Sequence, residues 1–215
     1  MTASEIEQAA REEYNAVNDS FFSQSSIFTL INKAQTELAT KAFVIENKDT
    51  SISTVASTRA YAFPTRVIAI KRIEYDGSKL DPIDFRDDDL VNIYPATTTT
   101  GTPRFYSIWD EYIYLRPIPA AVKTLTIYCY SLPTPITAGG DTPDIPALFH
   151  YDIVDYILMN IAAKDENWNA VSWYKGRWEQ HVQDAIKWKS KLKRADGPAS
   201  VKDEDLARKT VLGIK

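Results

Sequence analysis

A single cysteine, Cys129, removes two large classes of protein at once. No internal disulfide can form, and no multi-thiolate metal site can be assembled. Histidine is nearly as scarce, with only His150 and His181, so a zinc centre would lack ligands beyond that pair. No apolar run approaches the ~20 residues that a membrane-spanning helix needs. The polar, Glu-rich start "MTASEIEQAAREEYN" has neither the basic nor the apolar region of a secretory signal, and none is expected. Excess positive charge is also missing. A formal charge of −4 gives the chain no global reason to seek a polyanion. What remains, 44% apolar residues over 215 positions, is enough for one domain with a real core or two small ones.

The hydrophobic period changes twice along the chain. Ser4 and Glu7 fit a capping box, followed by Ile6, Ala10 and Val17 at helical spacing. A second helix carries Ile27, Leu30, Ile31, Ala34, Leu38 and Ala42 on one stripe. From residue 47 the pattern becomes short β-branched and aromatic runs, among them "TRAYAFP", "RVIAIKRIEYDG", "RFYSIWD", "EYIYLRP" and "VKTLTIYCYSLP". Between them, "PIDFRDDDLVNIY" reads as a short helix or turn and "PATTTTGTP" as a loop. Helical spacing returns at Pro146. The segment from Ile153 to Ala163 is apolar nearly all round, and its partner helix spans about Asn169 to Arg194 with Val171, Tyr174, Trp178, Val182, Ala185 and Ile186 on one stripe. After Gly197-Pro198 the density falls, as in a flexible tail. No internal repeat is evident. The expected fold is α+β, a helical bundle built from N- and C-terminal helices with an inserted antiparallel β-domain. Its parts are bundle helices in 1–46, a β-domain in 47–140, bundle helices in 141–195 and a tail in 196–215.

Residues 101–119, "GTPRFYSIWDEYIYLRPIP", are the most aromatic stretch. A hairpin with Asp110 and Glu111 at its tip pairs Trp109 with Tyr112, Ile108 with Ile113, Ser107 with Tyr114 and Tyr106 with Leu115. Alternation then puts Tyr106, Ile108, Ile113 and Leu115 on a core face. Phe105, Trp109, Tyr112, Tyr114 and Arg116 share the other, and nothing local marks a partner for it within the chain. Its rings, hydroxyls and guanidinium are the mixture enriched at protein interfaces. Asp-Glu is not a favoured two-residue turn, so a longer loop would shift the register and exchange the faces. The strand after it alternates in the same way, with Leu125, Ile127 and Cys129 on one side and Thr124, Thr126, Tyr128 and Tyr130 on the other. A sheet between two cores, a subunit interface and a carbohydrate- or base-stacking platform all fit this pattern.

Candidate chemistry is thin. Asp84, Asp87, Asp88 and Asp89, with Asp81 nearby, are the densest carboxylate group, but their spacing does not match a Ca²⁺ loop and consecutive side chains diverge. Asp favours helix starts, which accounts for them without a ligand. His150 and His181 lie on helices that can bring them together, where packing or hydrogen bonding within the helix pair suffices. Cys129 lies mid-strand, where a small buried thiol is inert. "TAGGD", 137–141, lacks the lysine and spacing of a phosphate cradle. The basic run "KWKSKLKR", 187–194, suits the negative end of a helix dipole, and equally an acidic partner or a DNA-facing rim. No catalytic, metal or cofactor site is expected. A hydrolase built on the Asp cluster is the weakest of the functional readings.

The order of these segments carries a further signal. "FTLINKAQTELATKAF", "AYAFP", "RIEYDGSKLDPID", "GTPRFY", "YLRPIP" and "IPALFHYDIVDYIL", spread over roughly residues 20–190, resemble the head-to-tail adaptor (connector) proteins of tailed bacteriophages, of the podophage and siphophage portal-adaptor type. The resemblance implies a structural virion protein in the neck, assembled in the host cytoplasm, with no enzymatic activity, cofactor or membrane association. It implies a homo-oligomeric ring, commonly a dodecamer, between portal protein and a tail or nozzle protein. DNA would pass through its channel without sequence-specific binding, and extended termini would lock subunits to the portal. On this reading Leu206, Val211, Leu212 and Ile214 anchor the tail, and the hairpin face carries subunit contacts. The alternative is a non-catalytic binding module whose aromatic sheet recognises glycan or peptide.

Overall fold

The computed structural model describes residues 1–15, 22–86 and 99–195. It is mixed α+β, and the chain divides into a helical unit, Met1–Val44 with Thr134–Lys215, and a sheet unit, Ile45–Pro133. The helical unit holds α1 (Ala3–Glu13), α2 (Gln24–Ala42), α3 (Asp152–Lys164) and α4 (Trp168–Ala195). Among the described residues, nine strands belong to the sheet unit: β1 (Glu46–Ser53), β2 (Ala60–Ala62), β3 (Val67–Tyr75), β4 (Ser78–Pro82), β5 (Thr100–Gly101), β6 (Phe105–Trp109), β7 (Tyr112–Arg116), β8 (Ile118–Pro119) and β9 (Thr124–Ser131).

α1 begins two residues earlier than its sequence suggests. Thr2, not Ser4, is the cap: its hydroxyl accepts from the Glu5 amide, and the Glu5 carboxylate accepts from the Thr2 amide. Ser4 and Glu7 therefore lie inside the helix. Ile6 and Ala10 are buried as expected, and Val17 lies outside the described residues. The α2 stripe is buried at Ile27, Ile31, Ala34, Leu38 and Ala42 and half-buried at Leu30. Ser23 caps α2 by accepting from the Ser26 amide, and Phe43 ends it in a left-handed conformation, φ 51°. α3 buries Ile153, Val154, Ile157, Leu158, Ile161 and Ala162, and α4 answers with Trp178, Val182 and Ala185.

The sheet unit is a seven-stranded sheet in the order β1-β9-β3-β4-β6-β7-β2, with β5 and β8 forming a separate parallel pair. All pairings in the large sheet are antiparallel except β4 with β6. Asp76 and Gly77, with φ of 49° and 79°, make the tight turn between β3 and β4, where the positive φ at the second position suits glycine. The inward faces gather Tyr61, Ile73, Tyr75, Leu80, Tyr106, Ile113, Leu115, Leu125, Ile127 and Cys129 into one core. Two strands escape the sequence patterns. β1 is a polar, mostly exposed strand that pairs, among the described residues, with β9, and β4 is the whole "SKLDP" segment, paired to β3 through Ser78–Leu80 and to β6 through Asp81 and Pro82.

Candidate protein interface

The β6–β7 hairpin keeps the expected register, with Trp109 opposite Tyr112, Ile108 opposite Ile113, Ser107 opposite Tyr114, Tyr106 opposite Leu115 and Phe105 opposite Arg116. Asp110 and Glu111 form a two-residue turn after all, both in the left-handed region at φ 47° and 61°. Neither is a glycine, and left-handed backbone costs a residue with a Cβ roughly 1–2 kcal/mol. The turn is held from outside: the Glu111 carbonyl accepts from the Phe63 amide at 2.7 Å, just beyond β2. The cross-strand core pairs and this bond override the poor turn chemistry.

The two faces are less uniform than alternation alone suggests. On the core face Tyr106, Ile113 and Leu115 are buried, but Ile108, near the tip, is 42% exposed. On the aromatic face Phe105 and Tyr114 are half-buried, whereas Trp109 and Tyr112 are 58% and 43% exposed. Arg116, expected among the accessible groups, is only 5% exposed because it sits at the base of the hairpin, beside the Arg104 amide that bonds to its carbonyl. The expectation that this face lacks a partner within the chain is also corrected. The Phe85 ring stacks on Trp109 at 5.1 Å and 12°, and tilts against Tyr114 at 5.3 Å. The Arg59 guanidinium covers Tyr114 at 5.3 Å, and Tyr112 leans on Tyr114 at 6.4 Å. Stacked on one side and exposed overall, Trp109 is a rigid apolar group presented to solvent. Together, Ile108, Trp109 and Tyr112 form the accessible tip. Phe85 was not identifiable from sequence, since it follows a short strand and has no periodic neighbours.

The tail anchors Leu206, Val211, Leu212 and Ile214 lie outside the described residues, as do Asp87, Asp88 and Asp89. Among the described residues, no group of three or more His, Cys, Asp or Glu side chains is arranged to hold a metal ion, and no helix is long and apolar enough to cross a membrane. Burial pushes the Cys129 thiol up, away from the reactive thiolate.

The two histidines take separate partners. His150 meets the Ile145 carbonyl at 2.8 Å and the Met1 amine at 2.9 Å. His181 meets the Asp155 carboxylate at 2.6 Å, with Asp152 at 3.4 Å from its other nitrogen. Arg177 adds a 3.0 Å bond to the same Asp155 oxygen and reaches toward Glu13 at 3.5 Å. Asp155 is a buried carboxylate in an otherwise apolar helix, tied to α4 by the Arg177 guanidinium and the His181 imidazole. Nearby, burial raises Asp152, and the charge of His181 opposes that shift. Tyr14 is pushed up to about 12 by burial and by donating its hydroxyl to Asp165.

The "TAGGD" turn holds α1. Asp141 accepts from the amides of Thr137 and Ala138, which keeps its carboxyl below the usual range. The Ser4 amide donates to the Gly139 carbonyl and the Ala3 amide to that of Asp141. A Cβ at Gly139 would lie 2.2 Å from the Ser4 hydroxyl, so the helix start is seated directly on this glycine. The basic run is mixed in character: Lys187 pairs with Asp184, Trp188 meets Phe149 edge-on, and Lys189 is buried.

Among the described residues, the geometry at the sheet unit's hairpin tip is that of a braced indole, Trp109 on Phe85, left largely open to solvent. The SU10 adaptor protein family model matches residues 1–202, and the chain belongs to this family of phage head-to-tail adaptors. No curated protein matches the sequence. The chain is thus a structural adaptor of a bacteriophage and a virion component, of a kind that interacts with portal and tail proteins and is typically non-enzymatic.

Proposed function

We propose that the chain is one subunit of a closed ring, of about twelve copies, that sits in the virion neck between portal and tail and continues the DNA channel. On this reading the helices of 1–46 and 141–195 form the bundle and the β-domain is inserted into it. DNA passes through without sequence-specific contact. The hairpin tip lies against a neighbouring subunit, with Trp109 and Tyr112 as anchors, and the tail tethers the subunit to the portal or to the next copy.

The observation that carries this reading is the hairpin tip on a chain of the adaptor family. Trp109 is braced by Phe85 yet more than half exposed, a costly arrangement for a monomer and a favourable one for an interface. Co-sedimentation with the portal protein tests it. The expected result is a complex of fixed stoichiometry in which the tryptophan emission of the native chain gains protection from a soluble quencher that Trp109→Ala does not gain. A chain that stays monomeric and unbound at high concentration contradicts the proposal.

A further inference from the structure

A second exposed aromatic surface lies on the helical unit. Tyr151 is 52% exposed and Trp173 57%, and a chain of contacts joins them. The Tyr151 hydroxyl donates to the Glu13 carboxylate at 3.5 Å, and Glu13 meets the Arg177 guanidinium at 3.5 Å. That guanidinium lies 4.7 Å from the Trp173 ring centroid, and Tyr174 braces Trp173 edge-on at 4.9 Å. Trp, Tyr and Arg are the residues that most often anchor a protein interface. The surface is acidic. The three segments that meet there, 7–13, 152–155 and 164–179, carry eight carboxylates against four cations.

The far end of α4 has the opposite charge. Residues 184–196 carry five cations against two carboxylates, and Lys187 and Lys191, one turn apart, are exposed. Beside them Leu192 is 43% exposed, one turn beyond Trp188, which rests edge-on against Phe149. α2 does not neutralise this end, since Glu37 and Lys41, the charges it brings beside Ile186, pair with each other. The helix dipole favours the cations but not the leucine. A phosphate backbone would leave that leucine in water, whereas a protein surface with rings and carboxylates suits both. We infer that the basic end of α4 seats on the Tyr151 and Trp173 surface of a second copy, with Leu192 against the rings and Lys187 and Lys191 toward Glu12 and Glu13.

One chain cannot make this contact with itself. Trp173 and Leu192 stand on one continuous helix, about 28 Å apart at 1.5 Å per residue. Each copy therefore offers its acidic surface to one neighbour and its basic end to another. Such a head-to-tail contact is the kind that closes into a ring. It is separate from the hairpin tip, and it rests on the ring reading above.

Sedimentation velocity of the full chain, alone and on portal particles, tests the inference. E12K/E13K and K187E/K191E change exposed positions and should keep the native circular dichroism spectrum. Each is expected to assemble at least tenfold more weakly than the native chain. An equal mixture of the two should assemble as the native chain does, because each variant supplies the charge that the other lacks. Variants that assemble normally, or a mixture no better than its components, overturn the contact and leave the ring reading standing. Loss of duplex DNA binding by K187E/K191E with assembly unchanged assigns the basic end to DNA instead. A native chain that does not assemble even on portal overturns both. Cysteine cross-linking is the second readout, since native Cys129 is buried. A Cβ at Gly176, one turn from Trp173, meets nothing within 4 Å, so G176C is accommodated. Mixing G176C with L192C, one new cysteine per chain, should give an oxidised link between unlike copies. No link, or links only between like variants, overturns the head-to-tail contact.

Discussion

Replacing Trp109 by alanine separates what the ring does for its own domain from what it offers a neighbour. The side chain is 58% exposed, so roughly 40% of the 150–250 Å² such a ring can bury, about 60–100 Å², is already covered within the chain. At about 25 cal/mol per Å² that is ~1.5–2.5 kcal/mol, an upper estimate that includes the contact with Phe85 at 5.1 Å. A chain of this size should then melt about 3–10 °C lower while keeping its circular dichroism spectrum. The uncovered part, about 90–145 Å², offers a neighbour ~2–3.5 kcal/mol at the same coefficient. Lost once per subunit contact, this should abolish ring formation in sedimentation velocity at micromolar concentration. Phe85→Ala is the control. It removes the stack and lowers the melting temperature comparably, but leaves the indole to meet a neighbour, so assembly should be weakened far less. If Trp109→Ala assembles as the native chain does, or if Phe85→Ala is equally defective, the exposed indole is not the anchor.

Other perturbations probe separate parts. Glu111→Gly should raise the melting temperature by relieving left-handed backbone worth about 1 kcal/mol, and a fall would show that the turn stores no strain. Gly139→Ala should loosen α1, seen as faster amide exchange across residues 3–13, and adding Ser4→Ala should recover part of the protection, because the 2.2 Å clash is with the Ser4 hydroxyl. Asp155→Ala should destabilise by about 2 kcal/mol, less than a fully buried pair would lose because Arg177 and His181 are partly exposed, and an unchanged melting curve would dismiss the α3–α4 clasp. Tyr14 has a folded pKa of about 12, above its ordinary 10, so its contribution is complete below pH 10 and is lost as pH rises toward 12. Tyr14→Phe should therefore lose less stability over that interval than the native chain.

The legible parts of the molecule are those in which local pattern and burial agree. The hairpin register could be read because Tyr106, Ile113 and Leu115 fall on one face by alternation and are the residues the core buries. Helices α2 and α3 follow from apolar stripes that fill the helical core. Where long-range contacts decide, sequence is mute. Phe85 braces Trp109 from over twenty residues away, and the Phe63 amide fixes a turn that Asp110 and Glu111 would not choose. β1 has no apolar alternation because a strand with mostly exposed side chains needs none. Asp155 passes for an interruption in an apolar helix until Arg177 and His181 arrive from α4. Arg116 illustrates the opposite error, since a guanidinium assigned to a surface by alternation is buried at the hairpin base.

Electron microscopy of the purified chain mixed with its portal protein tests the central claim most directly. The account predicts a closed ring of identical subunits seated on the portal, with a continuous axial channel and the Trp109 hairpin between adjacent copies. Portal particles that remain bare, with the chain monomeric beside them, would contradict it.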